Sequence, residues 1–105
     1  MREFGKTSKK RLATCHEDLQ RLFNEVIKRV DCTVLCGHRG ELEQNQAFKD
    51  GKSKVKYPDS KHNTFPSLAV DVGPWPLYWY DLKSFDNLAK IVYEVAKEMG
   101  IASLS

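Results

Sequence analysis

The chain has 105 residues, 41% of them apolar or aromatic, with 17 Lys and Arg against 14 Asp and Glu for a formal net charge of +3. A chain of this length buries about two-thirds of the surface its unfolded form exposes, so residues 1–105 are expected to form one domain with one modest core, not a multi-domain enzyme. The apolar share is too high for a disordered chain, no run approaches the roughly 18 apolar residues of a membrane span, and three cysteines, an odd number, fit reduced thiols better than a disulfide framework.

Residues 1–11 lack an apolar stretch and a small-residue cleavage site, so no export signal is expected there. Ser8 is placed as the N-cap of a short helix over residues 9–13. Residues 16–30 carry Leu19, Leu22, Phe23, Val26, Ile27 and Val30 at three- and four-residue steps. With Glu17 and Asp18 in the first turn and Lys28 and Arg29 in the last, this is an amphipathic helix complemented at both ends of its macrodipole. Residues 32–36 are β-rich and stopped by Gly37, which predicts a buried strand. On a regular strand Cys32, Val34, Cys36 and His38 share one face. Core packing of the thiols is preferred there to a metal site, which needs four ligands at turn-like spacing.

Residues 41–49 predict a helix closed by Asp50 and Gly51. Lys52, Lys54 and Lys56 then mark a solvated loop, and too few aromatic residues lie nearby to make it a nucleic-acid platform. Residues 68–72 predict a second strand, ended by Gly73-Pro74-Trp75-Pro76 because prolines remove ladder donors. Trp75, Tyr78, Trp79 and Tyr80 follow, either as core closure or as the wall of a binding site. The stripe Phe85, Leu88, Ala89, Val92, Val95, Ala96 and Met99 makes residues 81–99 a third long helix with Gly100 at its C′ position, and Ile101 reads as the opening of another strand.

The segment from Ser60 to Asp71 is the most informative. It sets an imidazole, His62, before a Pro-containing loop and a carboxylate, Asp71, on the strand that follows, so a turn can bring the two together. Such a pair suits a divalent transition ion such as zinc, although by spacing alone a surface or core histidine is the more ordinary reading.

Ser60-x-His62 with Ala69-x-Asp71 resembles the zinc-binding signature of the D-Ala-D-Ala carboxypeptidase and L-alanyl-D-glutamate endopeptidase family, which includes phage endolysins. Further residues resemble its phage-type branch in order. They are Gly37-His38-Arg39, Gln44, Gly51-Lys52-Ser53, Asn63, Pro66-Ser67, Val72, Pro74-Trp75-Pro76, Trp79-x-Asp81 and Ala96-x-x-x-Gly100-Ile101, so that the likeness spans Phe4 to Ile101. The resemblance implies an α+β fold of the hedgehog and D-Ala-D-Ala-peptidase type, a short antiparallel sheet with helices packed on it. It implies Zn2+ held by His62 and Asp71 together with a third ligand, a His near the C-terminus preceded by an acidic general base. Arg39 would steady the oxyanion, and Ser60 and Gln44 would line the site. The implied substrate is the stem peptide of bacterial peptidoglycan. The implied protein is a monomer made in the bacterial cytoplasm, acting on the wall after release.

No His follows His62, and the acidic residues after Asp71 are Asp81, Asp86, Glu94 and Glu98, all in the last helix or at its start. His38 is expected to point away from the site if Arg39 points into it, and His16 belongs to the first turn of its helix. The expectation is therefore a family member truncated at its C-terminus. A non-catalytic remnant that binds wall fragments is the main rival, and a small basic nucleic-acid-binding module is the third reading.

Overall fold

The computed structural model describes residues 2–101. Among them the elements run α1 (Lys6–Leu12), α2 (Glu17–Arg29), β1 (Cys32–Cys36), α3 (Glu41–Lys49), a 3-10 turn (Lys61–Asn63), β2 (Asp71–Pro74) and α4 (Leu82–Glu98). This is the expected α+β architecture, and the two strands pair antiparallel. No helix among these residues is long and apolar enough to cross a membrane.

The long helices follow their sequence patterns. α2 is capped by His16, whose Nδ1 accepts from the Asp18 N–H at 3.1 Å, and it buries Leu22, Phe23, Val26 and Ile27. α4 is capped by Asp81, which accepts from Ser84 through both carboxylate oxygens, and it buries Leu88, Val95 and Ala96. Arg29 and Glu98 close the contact between the two helices with a two-pronged ion pair, 2.6 Å at its shorter arm. The pair is exposed, so solvent and salt screen it and the apolar stripes carry the contact. The stripe of α4 is only half covered: Ala89 and Tyr93 are exposed and border an apolar groove of about 420 Å³ between α2, α4 and the start of β2.

Three expectations need correction. Ser8 does not cap α1, which begins three residues earlier after Gly5. It is buried instead, and its Oγ accepts from the Val34 N–H and meets Thr33 Oγ1, each at 3.0 Å. Arg11 Nη1 donates to the Val34 carbonyl at 3.0 Å, so α1 satisfies with side chains the edge of β1 that no third strand covers among the described residues. The second strand starts at Asp71 instead of residue 68, because Ser67 is already engaged by the linker before α2: its N–H donates to Thr14 O, and its carbonyl accepts from His16 N–H, both at 2.8 Å. Pro74 is tolerated opposite Cys32 since it ends an edge strand. Ile101 takes no strand conformation, its N–H donating to Ala96 O at 2.9 Å beyond Gly100 at φ 70°, and the rest of the strand expected there lies outside the described residues.

Just past the end of β1, Gly37 is the most closely packed glycine among the described residues. A Cβ on Gly37 would overlap Arg11 O and Thr14 Oγ1, and would stand 3.2 Å from Cys15 Sγ. Two of these neighbours belong to backbone or to a short side chain held by its own bond, Thr14 Oγ1 to Arg11 O at 2.7 Å, so neither can yield cheaply. Gly37→Ala is expected to lower the unfolding free energy by about 2 kcal/mol. Urea denaturation followed by circular dichroism measures it, and a loss below about 0.5 kcal/mol would mean the linker does not close on the strand there.

Candidate metal centre

His62 sits in the 3-10 turn, whose start is fixed by Ser60: its Oγ accepts from the His62 N–H at 3.2 Å. The imidazole is buried, with 8% of the residue exposed. Its Nδ1 lies 2.8 Å from the Gly37 carbonyl, a group that can only accept, so Nδ1 carries a proton and Nε2 is the nitrogen left to face outward. Nε2 stands 3.5 Å from Asp71 Oδ2. Asp71 opens β2 and its carboxylate remains half-exposed, so the pair borders solvent.

Arg39 approaches from the other side. Its N–H donates to the His62 carbonyl at 2.8 Å, and its Nη2 reaches Asp71 Oδ2 at 3.5 Å and Cys36 Sγ at 3.7 Å. The guanidinium is held by Gln44, whose Oε1 accepts from Arg39 Nη1 at 2.9 Å and from Asn63 Nδ2 at 3.1 Å, while its Nε2 donates to Ser53 Oγ and to Val55 O. Gln44 is fully buried and uses both ends of its amide within the fold. It therefore does not line the site as expected but reaches it through Arg39, and Ser60 likewise acts through the backbone of His62.

The sequence reading missed Cys36. Strand periodicity places it on the core face with Cys32 and Val34, yet it is half-buried and its Sγ lies 4.0 Å from His62 Nδ1. The cause is an irregularity in the ladder between Val34 and Cys36, which makes Cys36 the partner of Asp71. No local sequence signal marks that bulge. The ligand atoms of Cys36, His62 and Asp71 all lie within 4.8 Å of one another, and among the described residues these three form the group able to hold a metal ion. His16 and His38 stand apart. His16 caps α2, while the His38 ring packs edge-on against Phe65 at 5.3 Å and its N–H donates to Thr14 Oγ1.

An open cleft of about 580 Å³ adjoins the group, lined by Leu35, Arg39, Glu43, Lys52, Asp71 and Trp79 among others. Trp79 stacks on Phe85 at 5.6 Å and is 66% exposed, so it is a wall of this cleft and not core closure. Trp75 and Tyr80 are exposed as well. Of the loop lysines, Lys52 borders the cleft and Lys56 lies over the Phe48 ring.

Electrostatically the group is tightly linked. The hydrogen bond to Asp71, then that to Cys36, push the His62 imidazole up to about 10 against the opposing effect of burial. Asp71 is held below the usual carboxylate range, first by His62 and further by Arg39. Cys36 is lowered mainly by its bond to His62.

A model of the family described as phage L-alanyl-D-glutamate peptidase matches residues 1–104. The chain is 33% identical to the L-alanyl-D-glutamate peptidase of Escherichia phage T5, over 94% of this chain and 75% of that protein. Its fold is similar to the crystal structure of the Serratia marcescens L-Ala D-Glu endopeptidase ChiX, with a TM-score of 0.77 at 26% identity, over 94% of this chain and 74% of that one.

The linkage has a definite sign. Because the folded value of His62 lies above the ordinary 6.5, its contribution to stability is complete below that pH and is lost as pH rises toward about 10. In chelator-treated protein the His62 imidazole resonances are expected to titrate near pH 10, with stability falling over the same range. A midpoint near 6.5 would show that the pair with Asp71 does not form in solution.

Proposed function

The chain belongs to the phage L-alanyl-D-glutamate peptidase family, and on that premise we propose that it is a zinc-dependent peptidase hydrolysing stem peptides of bacterial peptidoglycan. The observation that carries this reading is the convergence of His62 Nε2 and Asp71 Oδ2 at 3.5 Å beside the Arg39 guanidinium in an open cleft. Two ligands at tetrahedral angles, with bonds of about 2.0–2.1 Å, stand about 3.3–3.4 Å apart, so the pair fits zinc with little adjustment. The donors, an imidazole nitrogen and a carboxylate, are of the type that ion takes. When bound there, zinc supplies Lewis-acid polarisation of the scissile amide carbonyl.

The chain's own groups do the rest. The bond to Gly37 holds His62 in the tautomer that presents Nε2, so no reorientation is needed at the moment of binding. Buried Gln44 and half-buried Asn63 form a brace behind Arg39, and a guanidinium held in this way can meet negative charge developing on the carbonyl oxygen without reorganising. Ser60 fixes the turn that carries His62. Leu35 and Trp79 offer apolar walls to a peptide, and Lys52 a cation to its carboxylates. The place of action is the cell wall, reached after release from the cell.

A second reading is a wall-binding protein without catalysis, since the exposed Trp79 and Lys52 that line the cleft can hold a peptide without a metal ion. Digestion of purified peptidoglycan separates the two. Release of free amino groups that stops with a chelator and returns with Zn2+ is expected of the peptidase. Wall retention without release, despite bound zinc, would favour the second reading.

Substitutions at the site sharpen the assignment. His62→Ala and Asp71→Ala are each expected to abolish zinc retention measured by elemental analysis, and unchanged zinc in both would remove them as ligands. Arg39→Ala is expected to keep zinc while lowering kcat/KM by about 10²–10³-fold, the loss typical of an oxyanion donor.

A further inference from the structure

We infer that the exposed aromatic run from Trp75 to Tyr80 is a binding surface for the glycan strand of peptidoglycan, the sugar chain from which the stem peptide hangs. This rests on the reading of the cleft as a stem-peptide site and adds a second part of the same polymer to it. Trp75, Tyr78, Trp79 and Tyr80 are all about half exposed or more, and Tyr80 reaches 83%. Both tryptophans of the chain are among them. Four large aromatic side chains turned outward within one short segment form an apolar patch that the core does not use. A patch of that kind with a polar rim marks a ligand surface.

The placement of the run ties it to the cleft. Trp75 follows the far end of β2, where it borders a groove of about 440 Å³ together with Glu3, Thr7, Asp31 and Thr33. The chain then folds back over the sheet. A Cβ on Gly73 would stand 2.8 Å from Leu77 Cδ1 and 3.5 Å from Leu35 Cδ1, so the bare backbone at Gly73 is what lets Leu77 lie against the strand. This return brings Trp79 to the wall of the cleft that Leu35 and Asp71 also line. Stacking on Phe85 at 5.6 Å fixes the indole while two-thirds of the residue stays exposed. Tyr78 and Tyr80 flank it with ring centroids 5.8 Å apart. The run therefore starts beside one end of the sheet and reaches the cleft at the other, continuous with the peptide site.

The ligand class follows from what these groups offer. Indole and phenol rings present a flat apolar face with a polar edge, which fits the C–H face of a pyranose ring flanked by its hydroxyls. Around Trp75 the carboxylates of Glu3 and Asp31 and the hydroxyls of Thr7 and Thr33 can accept from sugar hydroxyls and amides. The same carboxylates disfavour an anionic lipid surface, the other common target of exposed Trp and Tyr. The substrate adds a constraint of its own. The family is named for the L-alanyl-D-glutamate bond, and in a stem peptide the L-alanine is the residue joined to the sugar. A cleft that holds this bond stands a single residue from the glycan, so the strand has to pass beside its wall.

Peptide-free glycan strands are the probe, titrated into the chelator-treated full chain in about 0.3 M salt, where exposed charges are screened. Because both tryptophans lie in the run, the protein's own fluorescence reads the event. The expected result is a saturable shift of emission to shorter wavelength as the indoles are covered. Tyr80→Ala is expected to weaken the apparent affinity about tenfold, while Tyr93→Ala, at another exposed tyrosine on α4, leaves it unchanged. Both side chains are exposed, so neither change disturbs the core. Unchanged emission with glycan, equal weakening by the two variants, or a shift with anionic phospholipid vesicles and none with glycan would overturn the inference. Each of these leaves the peptidase reading standing, because that reading is decided by release of amino groups from the wall. Glycan binding by a chain that releases nothing would remove the peptidase reading and keep the sugar surface.

Discussion

The carbonyl of Gly37 receiving the Nδ1 proton of His62 at 2.8 Å is the bond on which the rest of the metal-binding end depends. It joins the end of β1 to a turn 25 residues later in the chain. It also engages Nδ1, and therefore leaves Nε2 as the ring nitrogen turned toward Asp71. The bond is possible only because the backbone at Gly37 can sit against Arg11 and Thr14 without a side chain in between. Packing of the helical linker, strand and turn is thus settled at one residue, and the same residue sets the chemistry of the ligand.

Around this point the molecule spends its burial on polar groups as well as on apolar ones. α3 contributes a single buried side chain, Gln44, and that side chain is an amide with four partners. A leucine there would add apolar burial but would take one hydrogen bond from each of Arg39, Asn63, Ser53 and the Val55 carbonyl, each worth about 0.5–1.5 kcal/mol. Among the described residues no buried side-chain nitrogen or oxygen lacks a hydrogen bond. A fully satisfied network of this kind is directional, and direction is what a guanidinium aimed at a reacting group requires.

Two strands are marginal by themselves and need support on their faces and edges. Here α1 covers the outer edge of β1 through Ser8 and Arg11, and α2 and α4 supply the apolar core beneath. The sheet can then carry a bulge at its end at little cost to the core, because Cys32 and Val34 hold their buried places before the irregularity begins. The bulge turns Cys36 to the side of the sheet that carries Asp71.

Much of this was legible in the residues. The spacing of apolar side chains along α2 and α4, the β-rich run of β1, and the family likeness built on His62, Asp71 and Arg39 all depend on short-range periodicity or residue type, which the sequence carries directly. What remained hidden depends on partners distant in the chain. Ser8 reads as a cap until β1 lies against it, residues 68–70 read as strand until the linker before α2 takes up Ser67, and Gln44 reads as a site residue until Asn63 and Val55 close over it. Cys36 is the clearest case. Its residue type and its position on an alternating strand both assign it to the core, and only pairing with β2 shifts it to the side of Asp71. The sequence by itself determined the helices, β1 and the family; tertiary pairing decided which side chains share the site, because register and long-range hydrogen bonds are properties of two segments at once.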